Sequence, residues 1–217
     1  PFYAVLGNHD YGGCISDKCG IGWDFDKPNY QIAYTNHSTK WNMPAEYYTF
    51  VEAHVQFFGL DTNAILWDPW LGTANHQPSW LAAEIASSSA KWKIAFGHHP
   101  YISNGKHGNA GTYDGLNWLN NILKVPAGTK VKEFIDDHLC NKVDLYLSGH
   151  DHNRQWLHPN CGTEFIISGA AAKTSPLTQR ENPTRFEDDT SVGFIWIEIQ
   201  ENSTLPPSKS NFATNKS

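Results

Sequence analysis

Residues 143–153 read VDLYLSGHDHN, a short apolar run that ends at glycine and leads directly into two histidines. Such a run, closed by a turn residue, is typical of a buried strand. Two other segments have the same form: residues 2–10 read FYAVLGNHD, and residues 93–100 read KIAFGHHP. In α/β sheets, functional side chains lie on loops just beyond the strand ends. We therefore expect an α/β fold that brings these three strand ends to one site.

The remaining segments fit the same fold class. Further strands are predicted at residues 47–51, 54–60, 163–168 and 192–199, the first two as a hairpin. Helices are predicted at residues 79–90, with Ser79 as N-cap after Pro78, and at residues 129–139. Residues 101–115 are rich in Gly and Asn and are predicted to form a long loop.

Four side chains from the three motifs suggest a metal site. His150 and His152 are two apart, so in extended backbone both point to one side. His98 supplies another nitrogen, and Asn8 supplies an amide oxygen. Mixed nitrogen and oxygen ligands favour Zn, Fe or Mn over Ca or Mg. The alternative for the His-x-His pair is two surface loop histidines.

Neighbouring polar residues are candidates for supporting roles. In extended geometry His9 points away from Asn8, which leaves His9 for acid–base chemistry or for a structural role. His107 is either a substrate contact or a plain exposed histidine. Asp10 and Asp151 either orient imidazoles or are solvated loop acids.

Composition excludes several function classes. The chain has 217 residues, enough for one domain, and a formal net charge of -6 without a basic stripe, so a nucleic-acid polymer is not expected as partner. No run of about 18 apolar residues is present, so no membrane span is predicted. Neither a P-loop, a Gly-x-Ser-x-Gly elbow nor a His-Glu-x-x-His helix occurs.

The cysteines bear on the compartment. Four cysteines allow three pairings, of which we favour Cys14–Cys19, a short loop staple, and Cys140–Cys161, which brackets the His-x-His segment. The alternative is four free thiols in a cytosolic protein. Glycosylation sequons compatible with export begin at Asn36, Asn202 and Asn215.

The three motifs resemble those of calcineurin-like metallophosphoesterases, and most closely those of purple acid phosphatases of the small tartrate-resistant type. Four further segments are similar to that group over residues 1 to about 199: Trp41-Asn42-Met43-Pro44 with Tyr47-Tyr48, Gly59-Leu60-Asp61-Thr62, the Trp80-Leu81 helix, and Val192-Gly193-Phe194. The resemblance implies a two-sheet β-sandwich flanked by helices. It also implies a dinuclear centre in which Fe(III) is paired with Fe(II), Zn or Mn.

Matching motif by motif assigns roles to individual residues. Asn8, His98 and His150 correspond to ligands of the divalent ion, and His152 to a ligand of the ferric ion. His9 and His107 correspond to the histidines that meet the phosphate and the leaving group. His99 stands where the close relatives have tyrosine.

The resemblance is incomplete at the N-terminus. The family's remaining ligands, two aspartates and one tyrosine, would lie upstream of Pro1, and the chain begins inside a predicted strand without an initiator Met. We therefore interpret residues 1–199 as a metallophosphoesterase domain that is incomplete at its N-terminus, and residues 200–217 as a polar tail. For this fragment we expect weak metal binding and little catalysis.

The implied function is an acid phosphatase that hydrolyses phosphate monoesters with a metal-bound hydroxide. Small phosphorylated substrates, a monomeric state, and secretion or a lysosomal or vacuolar compartment are expected with it. The alternatives are a phosphodiesterase or nucleotidase of the same superfamily, or a catalytically dead metal-binding domain.

Overall fold

A computed structural model describes residues 1–15, 18–72, 76–114, 126, 128–178 and 180–200. The strands, in chain order, are β1 (Phe2–Tyr3), β2 (Cys14–Ile15), β3 (Lys18–Cys19), β4 (Trp41–Asn42), β5 (Tyr48–Glu52), β6 (Val55–Gly59), β7 (Trp92–Phe96), β8 (Leu145–Ser148), β9 (Arg154–Asn160), β10 (Thr163–Ser168) and β11 (Thr184–Asp188). The helices are α1 (Asn8–Tyr11), α2 (Pro28–Ala33), α3 (Thr62–Leu71), α4 (Gln77–Ser87) and α5 (Thr129–His138), with a 3-10 helix at Tyr34–Asn36. Among these described helices, none has the length and apolar character needed to cross a bilayer.

Seven strands form one mixed sheet in the order β11-β9-β10-β8-β7-β6-β5. The central strands β6, β7, β8 and β10 run parallel, whereas β5, β9 and β11 pair antiparallel at the two sides. The other described pairs, β1–β4 and β2–β3, are two-stranded. This architecture confirms the predicted α/β class. It also places the carboxyl ends of the four central strands at one edge, where an α/β sheet carries its site.

One face of the sheet is covered by helices. Buried sheet residues such as Phe58, Tyr146 and Phe165 pack with Leu66 of α3 and Ile135 of α5 in one apolar cluster. The hydrophobic effect of this burial, at about 25 cal/mol per Å² of apolar surface, holds the helices against the sheet. The strand ends beyond this core are thereby fixed in position.

The strand predicted at residues 192–199 is not found as a strand. The segment has no assigned secondary structure, and Ile195, Ile197 and Ile199 pack on the apolar cluster of the opposite sheet face, which includes Ile94 and Leu145. The amide of Ile195 donates to the Ser168 hydroxyl oxygen rather than to a strand carbonyl. The alternating apolar residues therefore reflect packing on the face of the sheet and not pairing with a neighbouring strand.

Other element boundaries also differ from the prediction. The first strand covers only Phe2–Tyr3, because it pairs with the two-residue β4 alone. The helix predicted at 79–90 spans Gln77–Ser87 with His76 as N-cap, so Ser79 lies inside it and donates to the His76 carbonyl oxygen.

Both predicted disulfides are present. Cys14 is bonded to Cys19 and Cys140 to Cys161, and no described cysteine is free. The sequon residue Asn36 is exposed, whereas Asn202, Asn215 and the predicted tail after residue 200 lie outside the described residues.

Candidate metal centre

The three sequence motifs converge on one cavity at the carboxyl edge of the sheet. His98 follows β7, His150 follows β8, and Asn8 begins α1. The cavity has a volume of about 280 Å³. Its lining includes all six residues predicted for the site together with the unpredicted His99: Asn8, His9, His98, His99, His107, His150 and His152.

Asn8 lies on a helical turn, not on extended backbone as predicted. Its side-chain nitrogen Nδ2 donates to the Gly20 carbonyl oxygen at 2.5 Å. This bond turns the side-chain oxygen Oδ1 toward His98 Nε2, which lies 2.7 Å away. The Cys14–Cys19 disulfide lies immediately before Gly20 and staples the loop that supplies this carbonyl. Because Asn8 and His9 lie in a helical turn, the expectation that their side chains point in opposite directions does not apply. Both residues line the cavity.

A buried contact anchors the helix that carries Asn8. The Tyr11 hydroxyl, at the end of α1, donates to the carboxylate of Asp61. Asp61 is fully buried and caps α3 by accepting from the amides of Asn63 and Ala64. Burial raises the pKa of Asp61 to about 7 and that of Tyr11 above its ordinary range. The α1 turn is thus fixed to the start of α3.

His98 and His150 face each other across the cavity. His98 Nε2 lies 2.9 Å from His150 Nδ1. A Cβ at Gly7 would lie only 2.7 Å from His98 Nδ1, so this glycine makes room for the ring. His150 has a φ of 65°, which places it in the left-handed region and not in the extended conformation assumed from the His-x-His spacing.

His99 is a cavity residue that was not predicted. It is almost completely buried, and both its ring Nδ1 and its amide contact the Thr62 hydroxyl, at 2.9 and 3.0 Å. Because the hydroxyl oxygen accepts the amide hydrogen, its own hydrogen can be donated to Nδ1, which leaves the proton on Nε2. One ligand atom from each of His98, His99 and His150 lies within 4.8 Å of the others. The apolar runs of the sequence did not identify His99 as a site residue, because its contacts are with Thr62, which is distant in sequence.

These three imidazoles are held neutral. Burial, followed by the charges of neighbouring histidines, lowers the pKa of His98 to about 3 and that of His150 well below its ordinary value. The pKa of His99 is lowered for the same reasons. Neutral imidazoles are the form that binds metal ions.

The remaining predicted residues surround this cluster. The His107 ring lies 4.0 Å from the His150 ring between centroids. His152 lines the cavity but is outside the close group of three imidazoles. His9 stands over Gly20, where a Cβ would approach its Nδ1 to 2.2 Å. All three side chains therefore face the same space.

The two neighbouring aspartates are not solvated loop acids. Asp151 is fully buried and accepts from the Ser103 hydroxyl at 2.5 Å and from the His107 amide at 3.0 Å. Asp10 accepts from the Gly7 amide at 2.8 Å. Both carboxylates hold backbone in place, and neither makes a hydrogen bond to an imidazole among the described contacts.

The donor set fits a divalent cation. Three lone-pair atoms lie close together: the side-chain oxygen of Asn8 and one ring nitrogen each of His98 and His150. His98 Nε2 lies 2.7 Å from Asn8 Oδ1 and 2.9 Å from His150 Nδ1. Tetrahedral ligands at zinc-like bond lengths are separated by ~3.4 Å, so a small outward movement makes room for an ion. One N–H on His98 Nε2 cannot satisfy both close contacts, which is a further reason to place a cation there.

Comparisons with known proteins identify the family of the chain. Residues 1–154 match the model of the calcineurin-like phosphoesterase family. The chain is 28% identical to tartrate-resistant acid phosphatase type 5 of Rattus norvegicus, over 92% of this chain and 60% of the relative. It is also 28% identical to purple acid phosphatase 7 of Arabidopsis thaliana, over 79% of this chain and 48% of the relative. The chain thus spans at most about three fifths of these relatives.

A solved structure supports the fold. The purple acid phosphatase PPD1 from yellow lupin seeds superposes with a TM-score of 0.56 over 88% of this chain and 35% of its own, at 18% identity. Its likeness concerns the fold alone, whereas the family match covers most of the chain, including all three motifs. The chain therefore belongs to the calcineurin-like phosphoesterase family.

Proposed function

We propose that the protein is an acid phosphatase that hydrolyses phosphate monoesters at a dinuclear metal centre, with Fe(III) paired with Fe(II), Zn or Mn. The observation that carries the proposal is the convergence of Asn8 Oδ1, His98 Nε2 and His150 Nδ1 within hydrogen-bonding distance. The acid phosphatases among the relatives support the choice of reaction.

The proposed ligand roles come from the family resemblance, and the position of these side chains around one cavity supports them. Asn8, His98 and His150 hold the divalent ion, and His152, on the same cavity wall, contributes to the second ion. When bound, such a metal pair polarises a phosphate ester and makes hydroxide available near neutral pH. Asn8 is held as an oxygen donor because its nitrogen is engaged by the Gly20 carbonyl.

His107 and His9 act on the phosphate and the leaving group. The amide of His107 is tied to the buried Asp151, so its ring is presented to the cavity from a fixed backbone. Burial lowers the pKa of His107, and its neutral ring can donate an N–H to a phosphate or leaving oxygen. We propose the same role for His9, whose ring lies next to Gly20 and lines the cavity.

The whole-chain assignments are part of the same proposal. Residues 1–199 form the phosphoesterase domain, residues 200–217 a polar tail, and the protein acts as a monomer on small phosphorylated substrates. Two disulfides and an exposed sequon at Asn36 support secretion or a lysosomal or vacuolar compartment, since disulfides persist in oxidising environments.

The proposal is tested on the full-length protein, including any residues that its gene encodes before Pro1. Bound metal is quantified, and hydrolysis of p-nitrophenyl phosphate is compared with that of bis(p-nitrophenyl) phosphate. We expect about two metals per chain and preferential monoester hydrolysis, and we expect His150→Ala to lose the divalent ion and the hydrolysis. His158→Ala is the control, because His158 is exposed and outside the cavity.

Two other outcomes of this experiment would favour the two alternative functions. Preferential diester hydrolysis would favour a phosphodiesterase. Metal without hydrolysis of either ester would favour a metal-binding domain that lacks catalysis.

A further inference from the structure

A hairpin closed by a disulfide forms one wall of the cavity. Its strands β2 and β3 make a two-stranded sheet in which Cys14 lies directly opposite Cys19, and these two residues are bonded to each other. Cys19 and the next residue, Gly20, both line the cavity. Because a two-stranded hairpin is marginally stable in water, the disulfide contributes much of what keeps this wall in place.

The end of the hairpin contacts two residues of the proposed site. The Gly20 carbonyl oxygen accepts from Asn8 Nδ2 at 2.5 Å, and Asn8 Oδ1 then faces His98 Nε2 at 2.7 Å. Gly20 also lies against the His9 ring, since an added Cβ would come within 2.2 Å of its Nδ1. The position of Gly20 therefore sets which atom of the Asn8 amide faces the metal ligands.

Hydrogen bonds also hold the loop around the hairpin. The Gly20 amide donates to the Gly13 carbonyl oxygen at 2.9 Å, and the Gly22 carbonyl oxygen accepts from Asn63 Nδ2 at 2.7 Å. Because these bonds do not depend on the disulfide, its opening loosens the loop without detaching it. The expected effect on a ligand that the loop supports is thus moderate and not a complete loss.

The two disulfides of the protein differ in their exposure to solvent. Cys14 and Cys19 are both exposed. Cys140 is buried in the main apolar cluster, and Cys161 is partly buried against the same cluster. Since exposed disulfides are the ones that reductants reach and that tend to be labile, the bond beside the cavity should open before the bond in the core.

We propose that the Cys14–Cys19 disulfide is a redox-sensitive control of the metal centre. The closed disulfide fixes the Gly20 carbonyl, which holds Asn8 as an oxygen ligand, and reduction weakens the binding of the divalent ion. The two cysteines are positioning residues, because they act through Gly20 and Asn8 and not as ligands. This regulation rests on the metal centre of the proposed function.

The chemical step is a thiol–disulfide exchange with a dithiol reductant. A thiolate of the reductant attacks one sulfur of the disulfide, the bond between Cys14 and Cys19 breaks, and its electron pair goes to the other cysteine sulfur. The second thiolate of the reductant then displaces the remaining cysteine sulfur. The dithiol is oxidised to a disulfide, while two electrons and the two protons of its thiols pass to the cysteine pair.

Metal affinity without turnover is the first test. The metal-free full-length protein is titrated with Zn²⁺ by calorimetry, and the double variant Cys14→Ser/Cys19→Ser represents the open hairpin without adding thiols that could bind the metal. Its Zn²⁺ affinity falls about tenfold, the lower end of what lost ligand support costs, because the loop remains attached. Cys140→Ser/Cys161→Ser, which opens the other disulfide, leaves the affinity unchanged, and thermal unfolding checks that both variants fold.

The order of reduction is the second test. Wild-type protein is equilibrated with a series of dithiol redox buffers, free thiols are alkylated, and mass spectrometry shows which pair has opened. The Cys14–Cys19 pair opens under less reducing conditions than Cys140–Cys161. Simultaneous opening, or opening of the core disulfide first, would overturn the redox sensitivity of the hairpin.

The orientation of Asn8 is the third readout and requires no metal. The side-chain amide resonance of Asn8 in the metal-free protein is followed by nuclear magnetic resonance and shifts on reduction of the hairpin, because the bond to Gly20 is loosened. An unshifted resonance would overturn the proposal. A wild-type protein that binds no Zn²⁺ would refute the metal centre and its regulation together, whereas Zn²⁺ binding that is equal in the wild type and the hairpin variant would overturn the regulation alone.

Discussion

Replacing Gly7 with alanine tests whether His98 is held in place for metal binding. The Gly7 Cα lies against the His98 ring, and an added Cβ would come within 2.7 Å of Nδ1 and 2.8 Å of Cε1. Gly7 has a φ of −111°, a conformation that alanine adopts without strain. The substitution therefore acts on the imidazole and not on the local backbone.

The size of the effect follows from these distances. Ordinary contacts of a Cβ begin at about 3.4 Å, so the His98 ring must retreat by 3.4 − 2.7, or about 0.7 Å. Metal–ligand distances tolerate deviations of only about 0.2 Å, so His98 Nε2 leaves the ligand set. Since disturbing the support of a ligand commonly costs ~10- to 100-fold in metal affinity, we expect a loss of at least that size.

Isothermal titration of the metal-free full-length protein with Zn²⁺ measures the change. Gly149→Ala is the matched control, because an added Cβ there meets no atom within 4 Å although the residue adjoins His150. Thermal unfolding confirms that both variants fold. Wild-type Zn²⁺ affinity in a folded Gly7→Ala protein would show that Gly7 does not hold His98 in place for metal binding.

Three further predictions concern stability and its pH dependence. Tyr11→Phe removes the donor to the buried Asp61 carboxylate, so the free energy of unfolding should fall by about 2 kcal/mol in urea with an unchanged m-value; a change below 0.5 kcal/mol, on the order of an exposed contact, would contradict it. Because burial raises the pKa of Asp61 to about 7, the folded chain keeps a proton that the unfolded chain releases, and stability from this group is lost as pH rises from about 4 to 7. Asp61→Asn should flatten that slope in urea titrations across the same range, and an identical slope in both proteins would argue against it. Replacing Cys140 and Cys161 with serine opens a loop with a sequence separation of 21 and should lower the free energy of unfolding by about 3 kcal/mol, whereas an unchanged midpoint in denaturant would show that the bond is dispensable.

Sequence patterns were sufficient for the central strands and for their functional ends. The runs that precede Gly97 and Gly149 are mostly apolar because their strands lie inside a parallel sheet, and glycine follows each strand closely. The prediction of β10 at residues 163–168 was correct to the residue for the same reason. Parallel strands have their carboxyl ends on one edge, which is why the motifs after β7 and β8 could be expected to meet. The Asn8 motif follows β1, which lies outside this sheet, so the same reason does not place it.

Elements without a clear period were missed. The α3 helix, Thr62–Leu71, is apolar on most of its surface and contains Pro69, so neither helical periodicity nor an uninterrupted helix pattern identifies it. The β9 strand, Arg154–Asn160, mixes buried polar residues with Pro159. Tertiary contacts stabilise both elements, and those contacts have no local signature.

The fine geometry of the site depends on contacts that are remote in sequence. The orientation of the His99 ring is set by Thr62, which lies 37 positions away, and that of Asn8 by the carbonyl of Gly20. The left-handed backbone at His150 is likewise not indicated by the residue types around it. Residue types and motif order predicted which side chains face the cavity, but not how each is oriented.

The most direct test of the proposed metal centre is an anomalous diffraction measurement on crystals of the full-length protein loaded with Zn²⁺ or Mn²⁺. The account predicts an anomalous peak within about 2.3 Å of Asn8 Oδ1, His98 Nε2 and His150 Nδ1, consistent with the usual metal–ligand distances. A fully loaded crystal with no peak between these three atoms, or with its only peaks elsewhere, would contradict it.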